Sequence, residues 1–410
     1  MARPGRGCKR NRAARSAQDR VRPRARTFPA PRLSPTVARM TTLRSLLLAS
    51  ALLLPAGARA ADDIRIAVAV PRTGTVATAG DQVVVGAQEA AKAINARGGV
   101  DGRRIVLDIE DDACDPRQAI SVANRVVGEG ITLIDGHTCS AASIAAMPIY
   151  AEAGAVMMTP ASVSAKLTDT AAAKGWADIF RVYTRDDAQG LLMGAWMAER
   201  FKDRPVAFVH DKGTYGKGLA DAVRAAFEAH GGKVAFAEGI NPGEKDYSAV
   251  VGKLRGAGVG AVYYGGYPPE GGLILRQAAD QGYHPAFITT SGFSAPEFAS
   301  IAGAAADGTI FPFPPDFSKR PSAAGALDAF KADGVPADGF TLFSYATIQA
   351  LAEGVRRAGS TDGAKMAAAL RQGPPIDTVI GPLRFDRKGD AEGITYQIDV
   401  WKGGKYAPLE

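Results

Sequence analysis

Between residues 64 and 159 the chain alternates short apolar runs with longer stretches whose apolar positions recur every three to four residues. Ile64-Arg65-Ile66-Ala67-Val68-Ala69-Val70 is apolar and β-branched and stops at a Pro/Gly-containing loop, whereas Asp81 to Arg97 has helical spacing and ends at Gly98-Gly99. This pattern predicts a strand and then a helix. It repeats with a strand from Ile105 to Ile109, a helix from Pro116 to Val127, a strand from Ile131 to Ile134, a helix from Ala141 to Ala153 and a strand from Ala155 to Met158. Apolar strands alternating with helices predict a parallel sheet with crossover helices. Pro116 suits a helix first turn, and Asp115 before it suits an N-cap.

After a stretch of weak periodicity the pattern restarts near Asp186. Helices are expected over Ala188 to Phe201, Lys217 to Ala229, Tyr247 to Gly256 and Gly271 to Gln281, with strands over Val206 to Val209, Val234 to Ala237, Ala261 to Tyr264 and Ala286 to Thr289. Phe311-Pro312-Phe313-Pro314-Pro315 reads as an extended crossing segment. Helices follow at about 324–333, 342–358 and 363–371, then a strand from Ile394 to Trp401 and a turn at Gly403-Gly404. There is no solenoid-type repeat. Two α/β arrays in one chain of this length point to two domains.

Charge separates the first sixty residues from the rest. They hold fourteen Lys or Arg against the single acid Asp19, or +13, which leaves −6 of the whole-chain +7 for residues 61–410. The basic balance therefore belongs to the leader and indicates no nucleic-acid partner for the remainder. Within the leader, Arg44 precedes an apolar run from Leu46 to Leu54, and Ala58-Arg59-Ala60 is a small-x-small cleavage site, so residues 40–60 read as an export signal cut near Ala60. Met40 opens a signal of ordinary length by itself, and residues 1–39 read as a misassigned or disordered basic leader. The apolar run is shorter than the about 20 residues that span a bilayer, and nothing later in the chain approaches that length.

Reactive motifs are mostly missing. The four histidines, His137, His210, His230 and His284, stand singly without metal-ligand spacing, and no metal or cofactor is expected. Gly213 to Gly218 resembles a phosphate loop only superficially, with no Ser/Thr after Lys217, and reads as a strand-to-helix turn. No G-x-S-x-G elbow surrounds Ser140, Ser162 or Ser291. Glu110-Asp111-Asp112 with Asp115 lacks the pattern of a calcium loop and reads as a solvated strand end. Cys114 and Cys139 are the only cysteines after the leader. Export favours their pairing, and two separate buried thiols is the other reading. What remains is a set of small polar and aromatic residues at strand carboxyl ends, where open α/β sheets leave a ligand crevice: Ser140, Ala161 and Val163 in the first array, Tyr215 and Tyr267 in the second. Hydroxyls and helix-start N–H groups suit a carboxylate. Singly, each such residue is more often a helix cap or a packed wall.

At Asp111-Asp112-Ala113-Cys114-Asp115-Pro116, Gly136-His137-Thr138-Cys139-Ser140, His210-Asp211-Lys212, Gly243 to Ser248, Tyr263-Tyr264-Gly265-Gly266-Tyr267 and Val379 to Leu383, the sequence resembles the leucine/isoleucine/valine-binding proteins, the periplasmic receptors of branched-chain amino-acid ABC importers. The resemblance runs from about Asp63 to the C-terminus. It implies a type I periplasmic-binding fold of two Rossmann-like lobes, 61–185 plus 316–393 and 186–315 plus 394–410, hinged by three crossings near Asp186, Pro315 and Gly393. It also implies a Cys114–Cys139 disulfide, whose loop closure contributes about 3.5 kcal/mol in the chain-entropy model. By family position, Ser140 and the backbone at Ala161 and Val163 hold a ligand carboxylate, while Tyr215 and Tyr267 close from the second lobe.

Three positions depart from the family. Members that bind α-amino acids carry a hydroxyl where Val163 stands and an acid where Ser291 stands, both holding the ammonium group, and an aromatic wall residue near Ala79. The expectation is a periplasmic, monomeric solute-binding protein, not an enzyme, that delivers a branched-chain amino acid or related small carboxylate to a membrane permease. A same-fold receptor for an aromatic or other non-amino carboxylate, or a ligand-sensing domain, is the alternative.

Overall fold

The computed structural model describes residues 62–410; the readings made for residues 1–60 lie outside them. In the first array, β1 (Ile64–Val70) leads into α1 (Ala77–Ala96), β2 (Ile105–Asp111), α2 (Pro116–Gly128), β3 (Leu133–Gly136), α3 (Ser140–Glu152), β4 (Val156–Thr159), α4 (Ala165–Lys174) and β5 (Ile179–Arg181). The strands form one parallel sheet in the order β2-β1-β3-β4-β5. The runs in β1, β3, β4 and β5 are almost wholly buried, because helices cover both faces, while the edge strand β2 is half-exposed and carries Asp108 and Glu110. Asp115 caps α2 as expected, accepting from the N–H groups of Arg117 and Gln118 at 2.9 Å each.

The second array comprises α5 (Asp186–Phe201), β6 (Val206–His210), α6 (Thr214–Ala229), β7 (Val234–Gly239), α7 (Ser248–Gly256), β8 (Ala261–Gly265), α8 (Pro268–Asp280), β9 (Ala286–Ile288), α9 (Pro296–Ala302) and β10 (Ile310–Phe313). The chain then returns to the first sheet through α10 (Ala324–Asp333), α11 (Thr341–Ala358), α12 (Gly363–Gln372) and the antiparallel pair β11 (Ile376–Thr378) and β12 (Gly381–Leu383). It ends in the second sheet with β13 (Gln397–Lys402) and β14 (Lys405–Pro408), an antiparallel hairpin on the edge of the order β14-β13-β10-β9-β8-β6-β7. Three chain passages thus join the two sheets, after β5, after β10 and after β12, and both sheets belong to one compact unit.

Helix α11 packs on α1 at close range: a Cβ on Gly86 would lie 2.1 Å from the Thr341 carbonyl, so the backbones meet where no side chain fits. Ser344 Oγ on α11 lies within hydrogen-bond distance of both the Val83 carbonyl and Asp135 Oδ2, at 2.7 Å each, tying the returning helix to the first sheet.

Several elements differ from the sequence reading. Helix α1 starts four residues earlier than Asp81, and β5, α4, α9 and the β11–β12 pair were not expected. Strand β5 is only three residues long, too short to show a period. Of the run at Phe311, residues Phe311 to Phe313 belong to β10, which pairs in parallel with β9 at Ile310 and antiparallel with β13 along its length, and Pro314-Pro315 open the passage back to the first sheet. Extended crossing and strand share one backbone region, and only the neighbouring strand distinguishes them.

Candidate functional site

The two sheets face each other with their strand carboxyl ends, and a cavity of about 630 Å³, its open mouth included, lies between them. Ser140, Ala161, Val163, Tyr215, Tyr267 and Ser291 all line it, and so does Ala79. Ser140 and Ser291 are only 2% and 1% exposed, because the halves stand close over them.

Five helices begin at this cavity. Val76 and Ala79 lie at the start of α1, Cys139 and Ser140 at the start of α3, Tyr215 in the first turn of α6, Tyr267 and Pro268 at the start of α8, and Ala295 and Glu297 at the start of α9. None of the five has a side-chain cap hydrogen bond. The dipoles of all five, and the first N–H groups of α1, α3 and α6, therefore favour negative charge in the space they enclose, whereas Pro268-Pro269 and Pro296 leave α8 and α9 short of those donors.

The Ser140 turn is held from behind. Cys114 and Cys139 form the disulfide, with Cα atoms 5.5 Å apart. Beside it the buried His137 ring joins Asp112 through Nδ1 at 2.6 Å and the Tyr150 hydroxyl through Nε2 at 3.1 Å. Asp112 also accepts from the Cys114 N–H at 2.8 Å, which fixes Ala113 and Cys114 in left-handed backbone at φ 48° and 59°. The ends of β2 and β3 are thus joined both covalently and by a buried polar chain.

The loop carrying Ala161 and Val163 is anchored through its carbonyls. Arg181, wholly buried, donates to the carbonyls of Ser162 at 3.1 Å and Ser164 at 2.9 Å, and its charge is balanced by Asp390 at 2.6 Å. Ser164 N–H donates to Ser140 Oγ at 3.3 Å, and the Ala161 N–H reaches Thr159 Oγ1 at 3.3 Å. The Val163 carbonyl accepts from the Asp186 N–H at 2.8 Å.

On the other side, the rings of Tyr215 and Tyr267 stack with centroids 4.9 Å apart. Tyr215 accepts from the Gly292 N–H at 3.2 Å, and burial raises its pKa, offset in part by Thr290 and Ser291. The Tyr267 hydroxyl crosses the cleft to lie 3.7 Å from Cys114 Sγ. Ser291 is neutral and receives a 3.3 Å hydrogen bond from Gln189 Nε2. No Lys, Arg, His or Asp lines the cavity among the described residues. No cluster of metal-ligating side chains occurs among them either.

The sequence reading missed Gln82, Ser294, Glu297 and Phe340, which also line the cavity. Glu297 had a usable signal: Pro296 at a helix first position with an acid next to it marks a helix start.

A model of a periplasmic binding protein family matches residues 63–400. The chain is 41% identical over 349 residues to a Leu/Ile/Val-binding protein homolog of Brucella melitensis, covering 85% of this chain and 94% of that protein. It is 41% identical over 343 residues to a leucine-, isoleucine-, valine-, threonine- and alanine-binding protein of Pseudomonas aeruginosa, covering 83% and 91%. Among solved structures, a leucine-binding protein of Thermotoga maritima superposes with a TM-score of 0.76 at 27% identity, covering 85% of this chain and 98% of that one. A branched-chain amino acid transporter substrate-binding protein of Streptococcus pneumoniae, solved with isoleucine, does so with a TM-score of 0.76 at 25% identity, covering 85% and 99%.

Proposed function

The chain belongs to the periplasmic binding protein family, and from that premise we propose that it captures a branched-chain amino acid or a closely related small carboxylate for delivery to an ABC-importer permease. The observation that carries this reading is the convergence of Ser140, Ala161, Val163, Tyr215, Tyr267 and Ser291, from both sheets, on one cavity ringed by uncapped helix starts. Ser140 Oγ and the N–H groups at the start of α3 receive the ligand carboxylate, and Tyr215 and Tyr267 wall it from the second sheet. A solute that touches both halves favours the closed arrangement by its differential affinity for it, with the three passages between the sheets acting as the hinge. Export with cleavage near Ala60, a monomeric state and no nucleic-acid partner complete the proposal; the −6 balance of residues 61–410 supports the last of these.

Calorimetric titration of residues 61–410 with leucine, isoleucine and valine, repeated on Ser140→Ala, tests it. A hydrogen bond to a charged group contributes about 1.5–3 kcal/mol, so the substitution weakens binding about 10- to 150-fold. Unchanged affinity in Ser140→Ala, or no heat with any small carboxylate, refutes the assignment.

A further inference from the structure

The cavity holds one ionisable acid, and it is not at position 291. Glu297 lies in the first turn of α9, half-buried, and lines the same space as Ser140 and Tyr215. The Thr78 hydroxyl on α1, in the first half, lowers its pKa, and its charged neighbour is another acid, the buried Glu270 on α8. No cation among the described residues pairs with it, and none lines the cavity. Ser291, wholly buried and held by Gln189, offers only a neutral hydroxyl.

A solute that fills this space displaces water from Glu297. Removing a carboxylate from water without a compensating charge or donor costs several kcal/mol, or else the group takes up a proton. Burial already raises its pKa, against the lowering effect of Thr78, and Glu270 adds to the rise. An occupant that brings a cationic N–H group to this wall removes that cost and forms a charge-assisted hydrogen bond. An occupant with only a carboxylate leaves the cost in place. Because Glu297 stands in the second half and Ser140 in the first, a solute held by both also joins the two halves.

We propose that Glu297 is the specificity-determining residue that receives the ligand's ammonium group, so that the site selects zwitterionic amino acids over carboxylates lacking an amine. This rests on the reading that the cavity takes a small carboxylate at Ser140.

The test is calorimetry on residues 61–410 and on Glu297→Gln, each checked for an unchanged thermal midpoint. The ligands are leucine and phenylalanine with their matched 2-oxo acids, 4-methyl-2-oxopentanoate and phenylpyruvate. The expected result is that the unsubstituted protein binds an amino acid at least tenfold more tightly than its 2-oxo partner. Glu297→Gln should abolish that preference by weakening the amino acid at least tenfold while leaving the 2-oxo acid unchanged. Acidification toward pH 4.5 should weaken the amino acid in the unsubstituted protein and not in Glu297→Gln. A protein that binds the 2-oxo acids but not the amino acids overturns the inference alone. So does a Glu297→Gln that binds both classes as before or loses both equally. If none of the four compounds binds, the carboxylate reading falls and the inference with it.

Discussion

The binding loop at residues 161–164 stands on a buried charge, and removing its counter-charge should unfold the protein early. Arg181 is 0% exposed and donates to Asp390 through Nε at 2.8 Å and Nη2 at 2.6 Å, while its remaining donors hold the Ser162 and Ser164 carbonyls and Thr168 Oγ1. Asp390→Ala leaves a guanidinium in the core with no carboxylate, a change that costs about 3–5 kcal/mol. At about 2.1 cal/mol/K per residue over about 350 residues, each kcal/mol shifts the midpoint about 1.4 °C, so a fall of about 4–7 °C is expected. Replacing both partners, Arg181→Met with Asp390→Leu, should recover most of that loss because no orphan charge remains. The double variant should still bind its solute weakly, since nothing holds the two loop carbonyls. Lys388→Ala serves as the control: its pair with Asp169, at 2.6 Å, is nearly half exposed on both sides, which limits the effect to about 1 kcal/mol. Differential scanning calorimetry with parallel titration reads all three. If Asp390→Ala melts within about 1.5 °C of the unsubstituted protein, or the double variant melts no higher than the single one, the buried pair does not have this role.

Two further outcomes follow from the same reasoning. Replacing Cys114 and Cys139 by Ser removes a cross-link of sequence separation 25 and should lower unfolding free energy by about 3.5 kcal/mol in urea titration; an unchanged denaturation midpoint would show that the bridge does not form in solution. Asp399, 1% exposed on β13, has its pKa pushed up to about 6 by burial, against a 2.9 Å hydrogen bond from Gln397. The folded state therefore binds this proton more readily than the unfolded chain, and stability from this group is lost as pH rises from about 4 through 6. Asp399→Asn, which keeps the Gln397 acceptor, should be more stable than the unsubstituted protein at pH 7.5, by at most about 3 kcal/mol, with the advantage gone at pH 4. Equal advantage at both pH values would contradict the assignment.

How far the sequence carried this description depends on range. The strands from Ile64 to Val70 and Val206 to Val209 and the helix from Pro116 were legible because their signals are local: an apolar run, a 3.6-residue period, a capping Asp115. Strand β5 was not, since three residues carry no period and its place is set by pairing with β4. Ser140, Tyr215 and Tyr267 were named as strand-end residues, but their facing one another needed both sheets. Pro296 marks the start of the helix that carries Glu297, but an acid in a helix first turn is ordinarily an exposed partner of the dipole. Only closure of the second half over the first makes it a cavity wall.

The sequence by itself determined the α/β alternation, the charge contrast between residues 1–60 and the rest, and the set of polar strand ends, all of which are written in neighbouring residues or in composition. Tertiary structure alone decided that five uncapped helix starts surround one space, that Arg181 meets Asp390 from more than two hundred residues away, and that the acid in the cavity stands at Glu297 while Ser291 is neutral. The physical reason is that a charge's meaning depends on what solvates it, and water is excluded here by groups distant along the chain.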